Sequence, residues 1–277
     1  MSIVERYPPG TFSYAELVTT DAAGARAFYT SLFGWEVDEV PMEPGGVYHM
    51  FRKGAHVVGA MHQMGPAQQA QGIPTHWGSY VTVESADQAA ARAGELGGAV
   101  LMAPFDVMDA GRMAVVQDPT GATLCLWEPR GHVGSQVRDE PGSFCWNELG
   151  TSDVDRAREF YAGLFGWTPE AQEMGGVAYT TFFNEGGPVA GLYALSGEME
   201  AMPAGWMVHF QVEDCDGSVA LARELGAEVP VEPMDVPGVG RWSMLRDPQG
   251  AYFSIVTGSA DACELPEDVA QSDSVPA

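Results

Sequence analysis

Pro9-Gly10-Thr11-Phe12-Ser13-Tyr14-Ala15-Glu16-Leu17 recurs later in the chain as Pro141-Gly142-Ser143-Phe144-Cys145-Trp146-Asn147-Glu148-Leu149. A second pair follows at the same interval: Phe28-Tyr29-Thr30-Ser31-Leu32-Phe33-Gly34-Trp35 and Phe160-Tyr161-Ala162-Gly163-Leu164-Phe165-Gly166-Trp167. A third pair closes each copy. Gly111-Arg112 and Asp118-Pro119-Thr120-Gly121-Ala122 answer Gly240-Arg241 and Asp247-Pro248-Gln249-Gly250-Ala251. Three matches in the same order mark a duplicated unit, and 277 residues are enough for two domains of ordinary size.

Each copy reads as two β-α-β-β-β motifs. Residues 12–18 alternate as a strand does. Asp21 is placed to cap a helix carrying Ala25, Phe28, Tyr29 and Leu32 at helical spacing, and Gly34 stops it. Short strands are expected over 35–40, 47–51 and 57–61, separated by Pro41, Pro44-Gly45-Gly46 and Lys53-Gly54. A second motif begins with a strand over 78–83 and a helix over 87–96 that ends at Gly97-Gly98. Strands over 99–102, 113–117 and 123–127 complete it. The fold class expected is therefore α+β. A first module spans 1–130, a linker 131–140 and a second module 141–258. Residues 259–277 carry five acids and no base, which predicts a disordered acidic tail.

With 13 basic against 38 acidic residues the net charge is −25. Such a surface repels phosphate backbones and anionic lipids, so neither nucleic acid nor membrane is expected as a partner, while small cations are attracted. No apolar run reaches the length of a membrane span. Residues 1–10 lack a basic-then-apolar stretch, and Cys125, Cys145, Cys215 and Cys263 form no C-x-x-C pair. A cytoplasmic protein with reduced cysteines is the expectation.

The F-Y-x-x-L-F-G-W helix after a strand and a capping Asp, and the D-P-x-G-A turn before the last strand, resemble the vicinal-oxygen-chelate superfamily. That superfamily groups glyoxalases, bleomycin-resistance proteins and dioxygenases, and the two-module actinobacterial type is the nearest. The resemblance spans about residues 9–258. It implies two tandem modules, each with paired βαβββ motifs curling a mixed sheet into a cup that holds a ligand. It also implies, in the metal-dependent members, His or Glu ligands from several strands. Counted from Asp21 and Asp153, from Val83 and Val212, and from Asp118 and Asp247, those positions are Tyr14, Gly78 and Cys125 in copy one and Trp146, Met207 and Ser254 in copy two. A two-residue slip keeps the same strand face. It gives Glu16, Tyr80 and Trp127, or Glu148, His209 and Val256. Neither set supplies three or four nitrogen or oxygen ligands, so no metal and no other cofactor is expected.

The cup walls are instead expected to be aromatic and acidic. Period two puts Tyr14 with Glu16, and Trp146 with Glu148, on one face. Tyr80 and His209 occupy matching places on the fifth strands, and Trp77 and Trp206 stand just before them. Tyr48, Met50, Trp127, Tyr179 and Met207 extend the walls. Gly78 leaves room on one floor that Met207 fills in the other, so unequal cups are expected. Arg112 and Arg241 are candidates either to pair with the two glutamates or to bridge Asp106 and Asp235. An aromatic cleft with one carboxylate suits a flat amphipathic compound bearing an amine or a phenol. The leading expectation is a metal-free binding protein for such a ligand, serving antibiotic resistance or secondary metabolism beside a biosynthetic enzyme. The rivals are an enzyme of the superfamily, metal-dependent or using Glu16, Glu148 or His209 in acid–base work, and an interaction module with a vestigial cup.

Overall fold

The computed structural model describes residues 3–42, 45–174 and 176–258. The acidic tail expected over 259–277 lies outside the described residues. The first module contains β1 (Thr11–Thr19), α1 (Ala22–Phe33), β2 (Glu36–Pro41), β3 (Val47–Lys53), β4 (His56–Gln63), α2 (Pro66–Ala70), β5 (His76–Thr82), α3 (Ala86–Glu95), β6 (Ala99–Val107), β7 (Gly111–Gln117) and β8 (Thr123–Pro129). The second repeats this order, with a 3-10 turn in place of α2, as β9 (Phe144–Thr151), α4 (Val154–Phe165), β10 (Thr168–Met174), β11 (Val177–Asn184), β12 (Gly187–Ala194), β13 (Gly205–Gln211), α5 (Cys215–Glu224), β14 (Glu228–Val236), β15 (Gly240–Arg246) and β16 (Tyr252–Gly258). The α+β class and the paired motifs are as the sequence indicated.

Each module folds one eight-stranded mixed sheet. The orders are β2-β3-β4-β1-β5-β8-β7-β6 and β10-β11-β12-β9-β13-β16-β15-β14. The two motifs of a module meet at an antiparallel seam, β1 on β5 and β9 on β13. Parallel pairs flank that seam, β1 with β4 and β5 with β8 in the first module.

Local chemistry sets the ends of these elements. The Asp21 carboxylate accepts from the Gly24 amide at 3.0 Å, and Gly34 closes α1 at φ 68°, where a side chain would be strained. Strand β6 runs five residues beyond the expected 99–102, through Pro104. It is an edge strand broken by two register shifts, so the proline removes no hydrogen bond from an interior ladder. Helix α2 was not anticipated; it is a single short turn led by Pro66.

The repeated motifs turn out to clasp the two modules together. The Tyr29 hydroxyl on α1 donates to Asp247 at 2.8 Å, in the turn of the other module, and accepts from the Trp77 indole at 2.8 Å. Tyr161 on α4 donates reciprocally to Asp118 at 2.9 Å and accepts from Trp206 at 2.9 Å. Trp35 donates to the Gly142 carbonyl and Trp167 to the Gly10 carbonyl, both at 2.8 Å. Gly10 and Gly142 adopt φ of 76° and 78°, which explains a glycine after each proline of the repeat. One continuous buried core therefore draws on both modules, from Phe28, Trp35 and Trp77 to Phe210 and Phe253. Residues 131–140 are more than a spacer. Ser135 accepts from Tyr7 through its carbonyl at 2.7 Å and donates its hydroxyl to the Val58 carbonyl at 2.9 Å.

Candidate functional site

With one face of each sheet committed to the shared core, the other face of β1 carries Tyr14 and Glu16, and that of β9 carries Trp146 and Glu148. Strand register fixes their neighbours. Tyr14 lies opposite Tyr80, which lies beside Cys125; Glu16 lies opposite Gly78 and beside Ala60. Trp146 lies opposite His209, which lies beside Ser254; Glu148 lies opposite Met207 and beside Gly191.

The first cup is filled by its own side chains. Tyr14, Tyr80 and Trp127 are buried together with Ala60, and Tyr48 packs against them. Glu16 is buried and its two oxygens are engaged. Oε1 lies 2.6 Å from His62 Nδ1, and Oε2 accepts from the Tyr80 hydroxyl in a short contact. The Tyr48 hydroxyl also faces this carboxylate. Burial pulls the His62 imidazole down, but the hydrogen bond and charge of Glu16 outweigh it and leave His62 above its ordinary pKa. The chain just past β8 closes the mouth. The His132 ring stands edge-on to Tyr14 at 4.9 Å, and its carbonyl accepts from the Trp127 indole at 2.9 Å. Met50 is half-buried on the same face, paired with Ala60.

The second cup is less occupied. Trp146, Glu148, Met207 and Trp242 are only partly buried on its walls, around a buried Tyr179 and His209. Trp146 donates to the Tyr179 hydroxyl at 3.0 Å, and Tyr179 donates to Glu148 Oε2 at 2.7 Å. Glu148 Oε1 is 4.0 Å from His209 Nε2. That nitrogen, the Ser254 hydroxyl and the Trp242 indole nitrogen are buried without a hydrogen-bond partner. Burial pushes the Glu148 carboxyl up to about 7, against the Tyr179 hydrogen bond that lowers it, and pushes the His209 imidazole down to about 3. Both groups are driven toward their neutral forms.

The Glyoxalase/Bleomycin resistance protein/Dioxygenase superfamily profile matches residues 11–126 and again 143–255. The chain belongs to this superfamily. It is 39% identical over 252 residues to the "Putative glyoxylase CFP32" of Mycobacterium tuberculosis, covering 90% of this chain and 95% of that protein. It is 38% identical over 261 residues to the "Anthracycline biosynthesis protein DnrV" of Streptomyces peucetius, covering 91% and 94%. The fold is shared with a Mn(II)-bound glyoxalase from Novosphingobium aromaticivorans, at a TM-score of 0.60, 13% identity and coverage of 90% and 82%.

Membership in this glyoxalase superfamily raises the question of a metal in the cup. The row across β1, β5 and β8 reads Tyr14, Tyr80 and Cys125, and that across β9, β13 and β16 reads Trp146, His209 and Ser254. The two registers weighed from the sequence are thus mixed. Gly78 and Met207 sit two residues away, opposite the glutamates, because the seam strands run antiparallel: a step from Tyr14 to Glu16 on one strand is a step from Tyr80 back to Gly78 on the other, and likewise from Trp146 to Glu148 and from His209 to Met207. The second row offers one imidazole, and counting the nearby Glu148 brings the acidic and imidazole donors to two. Among the described residues no group of three or more His, Cys, Asp or Glu is arranged to hold a metal. This donor set does not fit a catalytic zinc, iron or manganese ion, which needs three or more protein ligands.

Two of the residues expected in the cups lie elsewhere. Trp77 and Trp206 are on the opposite face, with their indoles on Tyr29 and Tyr161 inside the shared core, because strand alternation puts them out of phase with Tyr80 and His209. Arg112 bridges Asp87 and Asp106, and Arg241 bridges Asp216 and Asp235. Neither arginine partners a cup glutamate. His62, His132 and Trp242 were not among the residues expected to line the cups. His62 shared the alternation of Ala60 on its strand, but its meeting with Glu16 depends on the parallel β1–β4 pairing, which no local pattern encodes.

Proposed function

We propose that this protein binds one small, flat, oxygenated aromatic compound in its second cup without a metal, as an accessory protein of secondary metabolism. Sequestration for resistance and hand-over beside a biosynthetic enzyme are both served by such a site, and the cytoplasm is its proposed location. The observation that carries this reading is the set of buried unpartnered polar atoms, His209 Nε2, Ser254 Oγ and Trp242 Nε1, beneath partly open aromatic walls. A buried polar atom without a partner costs roughly 1–3 kcal/mol, and a ligand that supplies the partner recovers it. Trp146, Tyr179 and Trp242 offer faces and edges for ring contacts, and Glu148 suits a phenol or an amine. Tyr193 and Met207 would complete the wall. The relative named for anthracycline biosynthesis supports the ligand class, since anthracyclines are fused-ring aromatics with phenols, ketones and an amino sugar.

The vestigial-cup reading is favoured by a specific observation in the first module alone, where both Glu16 oxygens are engaged, by His62 and Tyr80, and Tyr14, Tyr48, Tyr80 and Trp127 pack together beside His132. Titration of the chain with an anthracycline, followed by tryptophan fluorescence and calorimetry, tests the proposal. Saturable binding of one molecule per chain is expected, weakened about tenfold or more by Trp146→Ala. Two equal sites, or no saturable binding of any aromatic in a panel, would refute it.

A further inference from the structure

Resting on that reading of the second cup, we infer that the cup also performs metal-free proton transfer on its ligand, with the Glu148 carboxylate as the base. The geometry distinguishes this carboxylate from its twin. Glu16 has one oxygen on His62 and the other on Tyr80, so neither is available to a ligand. Glu148 is fixed through Oε2 alone, by Tyr179, which is itself held by Trp146. Oε1 is left facing the cup, with the unpartnered His209 Nε2 at 4.0 Å. A base held by one oxygen, with the other free in a water-poor aromatic cleft, is oriented and weakly solvated, which is what proton abstraction requires.

The reaction class is proton abstraction from an acidic C–H of an oxygenated aromatic compound. The C–H bond breaks and its proton bonds to Glu148 Oε1. The electron pair enters the ligand's π system and comes to rest on a ligand oxygen. The buried Ser254 hydroxyl and Trp242 indole N–H, both without partners, are the donors available to that oxyanion. Return of the proton from Glu148 to another ligand atom completes an isomerisation with no redox partner. The titratable groups facing Glu148 are His209 from β13, Tyr179 from β11 and Tyr193 from β12. Burial keeps His209 neutral and both tyrosines protonated at neutral pH, so Glu148 is the group that ionises there.

The test uses 5-nitrobenzisoxazole, a flat aromatic C–H acid, on the full chain in the presence of EDTA. A base removes its ring C–H proton, that electron pair becomes the third C–N bond, and the N–O bond breaks to a coloured nitrophenolate. The expected result is saturable turnover that rises with pH through a midpoint near neutrality. Glu148→Gln should lower it by about 100-fold or more. Tyr179→Phe removes the hydrogen bond that favours the ionised carboxylate and should move the midpoint to higher pH. The unreactive isostere 5-nitroindazole, followed by tryptophan quenching, separates binding from chemistry. Binding without turnover, or turnover unchanged in Glu148→Gln, overturns the inference and leaves the binding site standing. Neither binding nor turnover overturns both.

Discussion

Glu16 and Glu148 descend from one position of the repeat, yet they are held by different partners. Glu16 is a hydrogen-bonded partner of Tyr80 and His62, so replacing it with Gln removes charged hydrogen bonds and should cost roughly 2–3 kcal/mol. Glu148 is raised from 4.5 to about 7 in the folded chain by burial. The folded state therefore binds its proton more tightly than the unfolded state does. The associated stability is fully present below 4.5 and is lost as pH rises through 7. At 1.36 kcal/mol per pKa unit the swing is at most about 3 kcal/mol. His209 runs the other way: lowered from 6.5 to about 3, it stabilises above 6.5 and loses that contribution as pH falls. Comparing wild type with Glu148→Gln isolates the carboxylate. The difference in unfolding free energy should shift in favour of wild type between pH 7 and 4.5 and be flat outside that window. A constant difference across the range would show that Glu148 is not desolvated.

At the scale of the strand, Gly191 shows how a single small residue keeps the second network together. It sits beside Glu148 on β12, and a Cβ built there would collide with the Tyr179 hydroxyl and approach Trp146 Nε1 at 3.1 Å. The equivalent residue of the first module is Ala60, beside Glu16. Gly191→Ala should therefore displace Tyr179 from Glu148, raising the carboxyl pKa further and weakening aromatic binding about tenfold, while strand pairing persists. Carboxyl titration by NMR checks this, and an unmoved Glu148 would contradict it. Much of this level was legible in advance. Asp21, Gly34 and the 3.6-residue spacing marked α1, and period two marked Tyr14 with Glu16. Trp77 and Trp206 were misplaced because an aromatic next to a cup strand looks alike on either face until the register is known. The Tyr14–Tyr80 and Trp146–His209 pairings depend on strand register, which leaves no mark in spacing. The plugging of the first cup depends on His132, which enters it only through the path of the chain after β8.

For the whole molecule, the motifs that announced a duplication are the parts that bind the copies to each other. Each F-Y-x-x-L-F-G-W helix places its tyrosine on the D-P-x-G-A aspartate of the opposite module and its tryptophan on the opposite Pro-Gly carbonyl. The main core belongs to neither module alone, since Trp35 and Trp77 pack with Phe210 across the boundary. This frees the cup faces to diverge, one into a buried aromatic cluster and one into the less buried face proposed above to bind a ligand, without loosening the scaffold. It also predicts a single cooperative unfolding transition. Tyr29→Phe removes a buried hydrogen bond to the Asp247 carboxylate and leaves the Trp77 indole without its acceptor, at a cost of about 2–3 kcal/mol. For a chain of this size that lowers Tm by roughly 5 °C. Tyr161→Phe breaks the reciprocal bond and should lower the same transition by a similar amount, although the residue lies in the other module. Scanning calorimetry decides the matter. Two resolved transitions, with each variant moving only one of them, would mean that the modules fold independently and that the clasp carries little of the stability.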